Sequence, residues 1–85
     1  MNMTVEIYTM ENCSYCQESK KLLDENNYIY TEHILNEESA NVIVKHLQEK
    51  LNTDNIIVPV TFIEDASIVG YFGLVDFMTK KNQGS

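Results

Sequence analysis

No arginine occurs in this chain of 85 residues; all six basic side chains are lysine, against thirteen acidic ones, for a net charge of −7. Nucleic-acid affinity comes largely from cationic contacts to phosphate, so so acidic a chain is not expected to bind nucleic acid. The plainest reading of the acidity is solubility; the functional one is selection of a partner with a basic docking face. Long apolar runs are absent too. The uninterrupted ones last only a few residues, against the roughly 20 needed to cross a bilayer, so no membrane partner is expected. Met1 to Tyr8 carry neither a basic nor an apolar signal region, which leaves a reducing cytosol as the expected location. There is no low-complexity tract, linker or internal repeat, and the length suits one small domain over residues 1–85. Gln83-Gly84-Ser85 reads as a cloning remnant.

Residues that can punctuate a fold are few, and they divide the chain cleanly. Thr4 to Thr9 alternates, with Val5, Ile7 and Thr9 on one side, and reads as a strand. Asn12 or Cys13 can cap a helix from Ser14 to Glu25, which ends at Asn26-Asn27, residues that tolerate a left-handed turn. Tyr28 to Ile34, rich in aromatic and β-branched residues, reads as a second strand. Asn36 can cap a helix whose first turn holds Glu37 and Glu38 and whose stripe is Ala40, Ile43, Val44, Leu47 and Leu51. After a loop at Asn52–Asn55, Val60–Glu64 and Ser67–Gly70 read as a hairpin through Asp65-Ala66, and Gly73 can begin a last helix. The order is β-α-β-α-β-β-α: an α/β fold with a four-stranded mixed sheet flanked by helices. Its first two strands, joined by a helical crossover, should pair in parallel.

Only two cysteines are present, Cys13 and Cys16, at the first strand-to-helix junction. A structural zinc site needs about four ligands, and His33 and His46 stand on different elements from the thiols and from each other. A structural disulfide gains little from so short a loop and is unusual in the cytosol. A redox pair explains the position as well. At the junction, Cys13 faces free backbone N–H groups and the positive end of the helix dipole, both of which favour thiolate over thiol. It should be exposed and nucleophilic. Cys16, one turn on and on the same side, should be less exposed and able to resolve the mixed disulfide formed at Cys13. Cys-x-x-Cys near a β-α-β pattern is a fairly specific redox signal.

The single proline, Pro59, opens the third strand, where its missing N–H is harmless. A strand start accounts for it. A cis Val58–Pro59 bond beside the thiols would also leave the Val58 backbone free to pair with an extended substrate.

The stretches VEIYTMENCSYCQESKKLL (5–23), VPVTFIED (58–65) and IVGYF (68–72) resemble the glutaredoxin family's first strand and active-site helix, its cis-proline strand and its glycine-pair turn. The resemblance covers essentially the whole chain. It implies a thioredoxin-like fold and a thiol–disulfide oxidoreductase that reduces protein or mixed disulfides. Cys13 would be the nucleophile and Cys16 the resolving thiol. Tyr15 would pack beside the site, Val58 and Pro59 would meet substrate backbone, and Gly70 and Tyr71 would form the last turn. It implies no bound cofactor, glutathione as co-substrate, and a monomer acting on disulfide-containing proteins.

The departures concern glutathione. Met10 stands where the family usually has a lysine for a glutathione carboxylate, Ser14 replaces the active-site proline, and Tyr71 replaces the second turn glycine. Gly73 and Leu74 fall where residues for the γ-glutamyl end are usual, and Lys20 or Lys21 would have to supply a compensating cation. Two further readings therefore stay open. One is an NrdH-type redoxin, reduced by thioredoxin reductase and serving ribonucleotide reductase. The other is an iron–sulfur carrier bridging a cluster between two subunits.

Overall fold

The computed structural model describes residues 4–83, with side chains through residue 80. Residues 84 and 85, within the stretch expected to be a cloning remnant, and the first three residues of the segment read for a signal peptide lie outside the described residues. The element order is β1 (Val5–Met10), α1 (Ser14–Glu25), β2 (Thr31–Leu35), α2 (Ala40–Leu51), β3 (Val60–Ile63), β4 (Ala66–Val69) and α3 (Gly70–Gln83). This is the expected β-α-β-α-β-β-α order, in a four-stranded sheet ordered β2-β1-β3-β4.

β1 lies inside the sheet, parallel to β2 and antiparallel to β3, while β3 and β4 form the antiparallel hairpin. The alternation along β1 feeds two cores. Val5 and Ile7 join Leu23 of α1, Ile63, Ile68, and Leu74 and Met78 of α3 on one face. Tyr8 joins Leu35, Leu47 of α2, Val60 and Phe62 on the other. The sheet is thus sandwiched between α1 with α3 and α2 alone. Among the described residues, no helix is long and apolar enough to cross a membrane.

Three boundaries differ from the sequence reading by more than one residue. β2 begins at Thr31 rather than Tyr28. The Tyr28 N–H donates to the Leu23 carbonyl at 3.0 Å, closing the end of α1, and Tyr28 and Tyr30 pack against the α1–α3 core. Their aromatic content reflects packing, not ladder pairing. α2 begins at Ala40, so Glu37 and Glu38 precede it in an exposed turn. Asn36 does cap, but it caps that turn: its Oδ1 accepts the Glu38 and Ser39 N–H groups at 3.0 and 2.9 Å. α3 begins at Gly70, three residues before Gly73. Gly70 has φ +79°, a conformation that a residue without Cβ adopts freely, and this lets the chain leave β4 directly into a helix.

Among the described residues two buried hydroxyls are unpaired, Ser19 Oγ on α1 and Thr61 Oγ1. Thr61 is fully buried on β3, and its Oγ1 meets no hydrogen-bond partner. A near-isosteric Thr61→Val removes an unsatisfied group whose burial costs about 1–3 kcal/mol. The variant is expected to unfold at a higher urea concentration than the parent; a lower midpoint would show that the hydroxyl is bonded in solution.

Candidate functional site

Antiparallel pairing brings three chain segments to one end of the sheet. Tyr8, near the C-terminal end of β1, pairs with Val60 at the start of β3, and Val60 pairs with Val69 at the end of β4. The loops that continue from these points therefore share one rim: Glu11 to Cys13, Val58-Pro59, and Gly70 onward.

In the first loop, Glu11 and Asn12 form a turn in which Asn12 takes φ +58°. Asparagine tolerates this left-handed conformation better than most residues. The turn delivers Cys13 to the N-cap of α1 with extended φ and ψ of −109° and 109°. There its Sγ accepts the Cys16 N–H at 3.2 Å, as a capping oxygen would. Cys13 and Cys16 are joined as a disulfide, with Cα atoms 5.2 Å apart. Cys16 is fully buried. Cys13 is half-buried rather than exposed as expected, because capping turns its sulfur towards the helix. The chemical asymmetry remains: Cys13 is partly exposed with its sulfur at a helix N-terminus, and Cys16 is enclosed.

In the second loop, the Val58–Pro59 peptide bond is cis. Pro59 is buried and Val58 half-buried against the α2-side core. The Pro59 carbonyl accepts the Gly70 N–H at 2.7 Å, which ties the second loop to the third. Gly70 and Tyr71 thus open a helix instead of forming a separate turn.

The rings across the rim meet. Tyr15, between the two cysteines in sequence, stacks on Tyr71 at 5.7 Å between centroids and meets Phe72 edge-on at 5.5 Å. Tyr71 and Phe72 touch at 5.3 Å. Phe72 belongs to the IVGYF stretch, but the sequence gives it no role of its own. Its partner Tyr15 lies on another element, and an aromatic next to a glycine at a helix start fits a core residue as well as a surface one.

Lysines are missing from this rim. Residues 10–16, 55–60 and 69–76 contain none, while Glu11 and Asp76 fall within them. Lys20 does not supply the cation. Its Nζ pairs with Glu32 Oε2 at 2.9 Å across the α1–β2 contact, and Thr9 Oγ1 donates to the same oxygen at 2.7 Å. Burial pushes the Glu32 carboxyl up, but the Thr9 and Lys20 hydrogen bonds and the lysine charge outweigh it and hold Glu32 below its ordinary 4.5. A carboxyl lowered by folding stabilises the fold above its unfolded value, and this is lost as pH falls through the folded value. Stability should therefore decline in acid below about pH 4.5. In urea titrations across that range, Glu32→Gln should flatten the decline; an unchanged slope would place the proton uptake elsewhere.

His33 is likewise engaged away from the thiols, with Glu6 at 2.9 Å and stacked on Tyr8.

Residues 5–68 match the family model for glutaredoxin. A glutaredoxin 1 from Rickettsia bellii (strain RML369-C) is 39% identical over 72 residues, 82% of this chain and 71% of that one. One from Rickettsia felis is 35% identical over 77 residues, 86% of this chain and 70% of that one. Among solved structures, glutaredoxin 1 from Francisella tularensis complexed with cacodylate is similar at a TM-score of 0.70 and 26% identity, covering 95% of this chain and 98% of that one. A buckwheat glutaredoxin–glutathione complex is similar at a TM-score of 0.73 and 26% identity, covering 96% and 71%.

Proposed function

Because the chain belongs to the glutaredoxin family of thiol–disulfide oxidoreductases, we propose that Cys13 attacks and Cys16 resolves in a dithiol cycle that reduces protein disulfides. The carrying observation is the Cys13 sulfur at the α1 N-cap, bonded to the Cys16 N–H, with Cys16 enclosed behind it.

In the reduced protein the Cys13 thiolate attacks one sulfur of a substrate disulfide. The S–S bond breaks, a Cys13–substrate disulfide forms, and the first substrate thiolate leaves and takes a proton from water. Cys16 then loses its proton and attacks Cys13 Sγ. The second substrate thiolate leaves and is protonated, and the Cys13–Cys16 disulfide remains. Two electrons pass from the protein dithiol to the substrate, and two protons lost by the protein thiols balance the two gained by the products. The sulfurs carry the electrons, so the cycle uses no bound cofactor. Tyr15, Val58, Pro59, Gly70 and Tyr71 line the approach, with the Val58 backbone pairing to extended substrate. The protein acts as a monomer in the cytosol, where thiols are kept reduced.

Glutathione, which the buckwheat relative binds, is the electron source we propose. It carries two carboxylates, and a rim without lysine holds it loosely. Alkylation of the reduced protein at acidic pH tests the dithiol assignment. Cys13 should react with iodoacetamide well below pH 8, since cysteines at helix N-termini ionise below the about 8.5 of a free thiol, while Cys16 is spared. Equal sluggishness at both positions would refute it. With NADPH present, recycling by glutathione and glutathione reductase should sustain turnover at millimolar glutathione; turnover with thioredoxin reductase alone would replace glutathione in the scheme.

A further inference from the structure

We propose that Tyr15, Tyr71 and Phe72 form a cation-accepting rim beside the thiols, which selects protein disulfides with an arginine or lysine next to the half-cystine. The inference rests on the dithiol reading of Cys13 and Cys16 and names the substrate class for that site.

The three rings contact one another pairwise, at 5.3 to 5.7 Å between centroids. They do so at the surface: Tyr15 is 52% exposed and Phe72 68%. Aromatic surface gathered at one point of a small domain, rather than scattered singly, is the kind of feature that marks a contact site. The cluster is fixed to the reactive loop through Tyr15 and to the Pro59 loop through Gly70, whose N–H is held by the Pro59 carbonyl.

Charge decides what it contacts. A ring face is the negative part of the ring quadrupole and attracts a cation. The three rim segments contain no lysine, and Lys20 is paired with Glu32. Lys80, the partner of Asp76, lies a turn further along α3, at 3.2 Å from that carboxylate. Glu11 stands exposed in the reactive loop. An acidic residue beside the substrate disulfide would meet ring faces and Glu11 with nothing to neutralise it. An arginine would lay its planar group on a ring while facing negative charge. An extended substrate spans about 3.5 Å per residue, so a residue one or two positions from the half-cystine stays within about 7 Å of it, and Tyr15 follows Cys13 by two residues at the start of α1.

Three disulfide-bonded peptides, differing only by arginine, glutamine or glutamate beside the half-cystine, test this. Their reduction by pre-reduced protein is followed in stopped flow, and rate ratios are taken within each variant so that the active fraction cancels. The expected order is arginine, then glutamine, then glutamate. The arginine-to-glutamine ratio should be about two- to fivefold, the size of one exposed cation–π contact. Phe72→Leu and Tyr71→Leu leave the net charge alone and should bring that ratio close to one. No preference in the parent protein would overturn the proposal. So would a preference that survives both leucine variants and disappears at about 0.5 M salt, since that is steering by overall charge. If no peptide is reduced at all, the dithiol reading itself falls and takes this one with it, a result distinct from reduction without preference.

Discussion

Cys13→Ser is expected to lower the rate of disulfide reduction by about 10³-fold or more while leaving the fold almost untouched. A serine hydroxyl at this position is hardly ionised near neutrality and cannot form a disulfide with substrate. It remains a good N-cap, however, and can accept the Cys16 N–H that the sulfur accepts at 3.2 Å. Activity and stability should therefore separate. Turnover of a peptide disulfide under NADPH-coupled recycling should vanish, and the urea midpoint of the reduced variant should stay near that of the reduced parent. Cys16→Ser provides the contrast. It keeps the attacking sulfur, so it should accumulate a one-to-one mixed disulfide with the peptide, visible by mass and released by a small thiol. Turnover within tenfold of the parent in Cys13→Ser would remove the attacking group from position 13.

Leu23→Ala is expected to have the largest effect on stability. Leu23 is fully buried, on α1, and meets Val5, Ile7, Ile63, Ile68, Leu74 and Met78 in one core. Truncation loses the transfer free energy of the removed carbons and leaves a void that a core of this size closes only in part, a combined cost of about 2–5 kcal/mol. Against the 5–15 kcal/mol typical of whole domains this is a severe loss. For a chain this short it corresponds to a fall in melting temperature of roughly 10–30 °C. Equilibrium unfolding in urea measures it directly, and a loss below about 1 kcal/mol would show that the surroundings of Leu23 collapse onto the space.

Where local chemistry decides the structure, the residues already state it. Ser14–Glu25 is a helix because Cys13 caps it and Asn26-Asn27 end it, and these signals sit next to the element they define. The stripe from Ala40 to Leu51 is legible for the same reason. The misplaced boundaries are those set at a distance. Tyr28 and Tyr30 have strand-like composition, but their burial comes from the α1–α3 core. Gly70 closes a strand-like run in the sequence, yet its N–H finds a partner at Pro59, which no local pattern reveals. The site divides in the same way. Cys13, Cys16 and Pro59 announce themselves by chemical type. The ring cluster needs Tyr15 and Phe72 brought together across the fold, and the engagement of Lys20 needs Glu32 on a neighbouring strand.

The two cores are unequal, and they support different tasks. The thiol-bearing helix is anchored by Leu23 in the larger cluster, whereas Ile56 and Val58 lean on the smaller one, to which α2 contributes Leu47 as its only fully buried side chain. Elements with fewer enclosed contacts open first as conditions worsen. Warming short of melting should thus loosen the grip on long polypeptides before it touches the sulfur exchange itself. Backbone pairing at Val58 would fail first, while the ring cluster on α1 and α3 and the exchange of small disulfides persist.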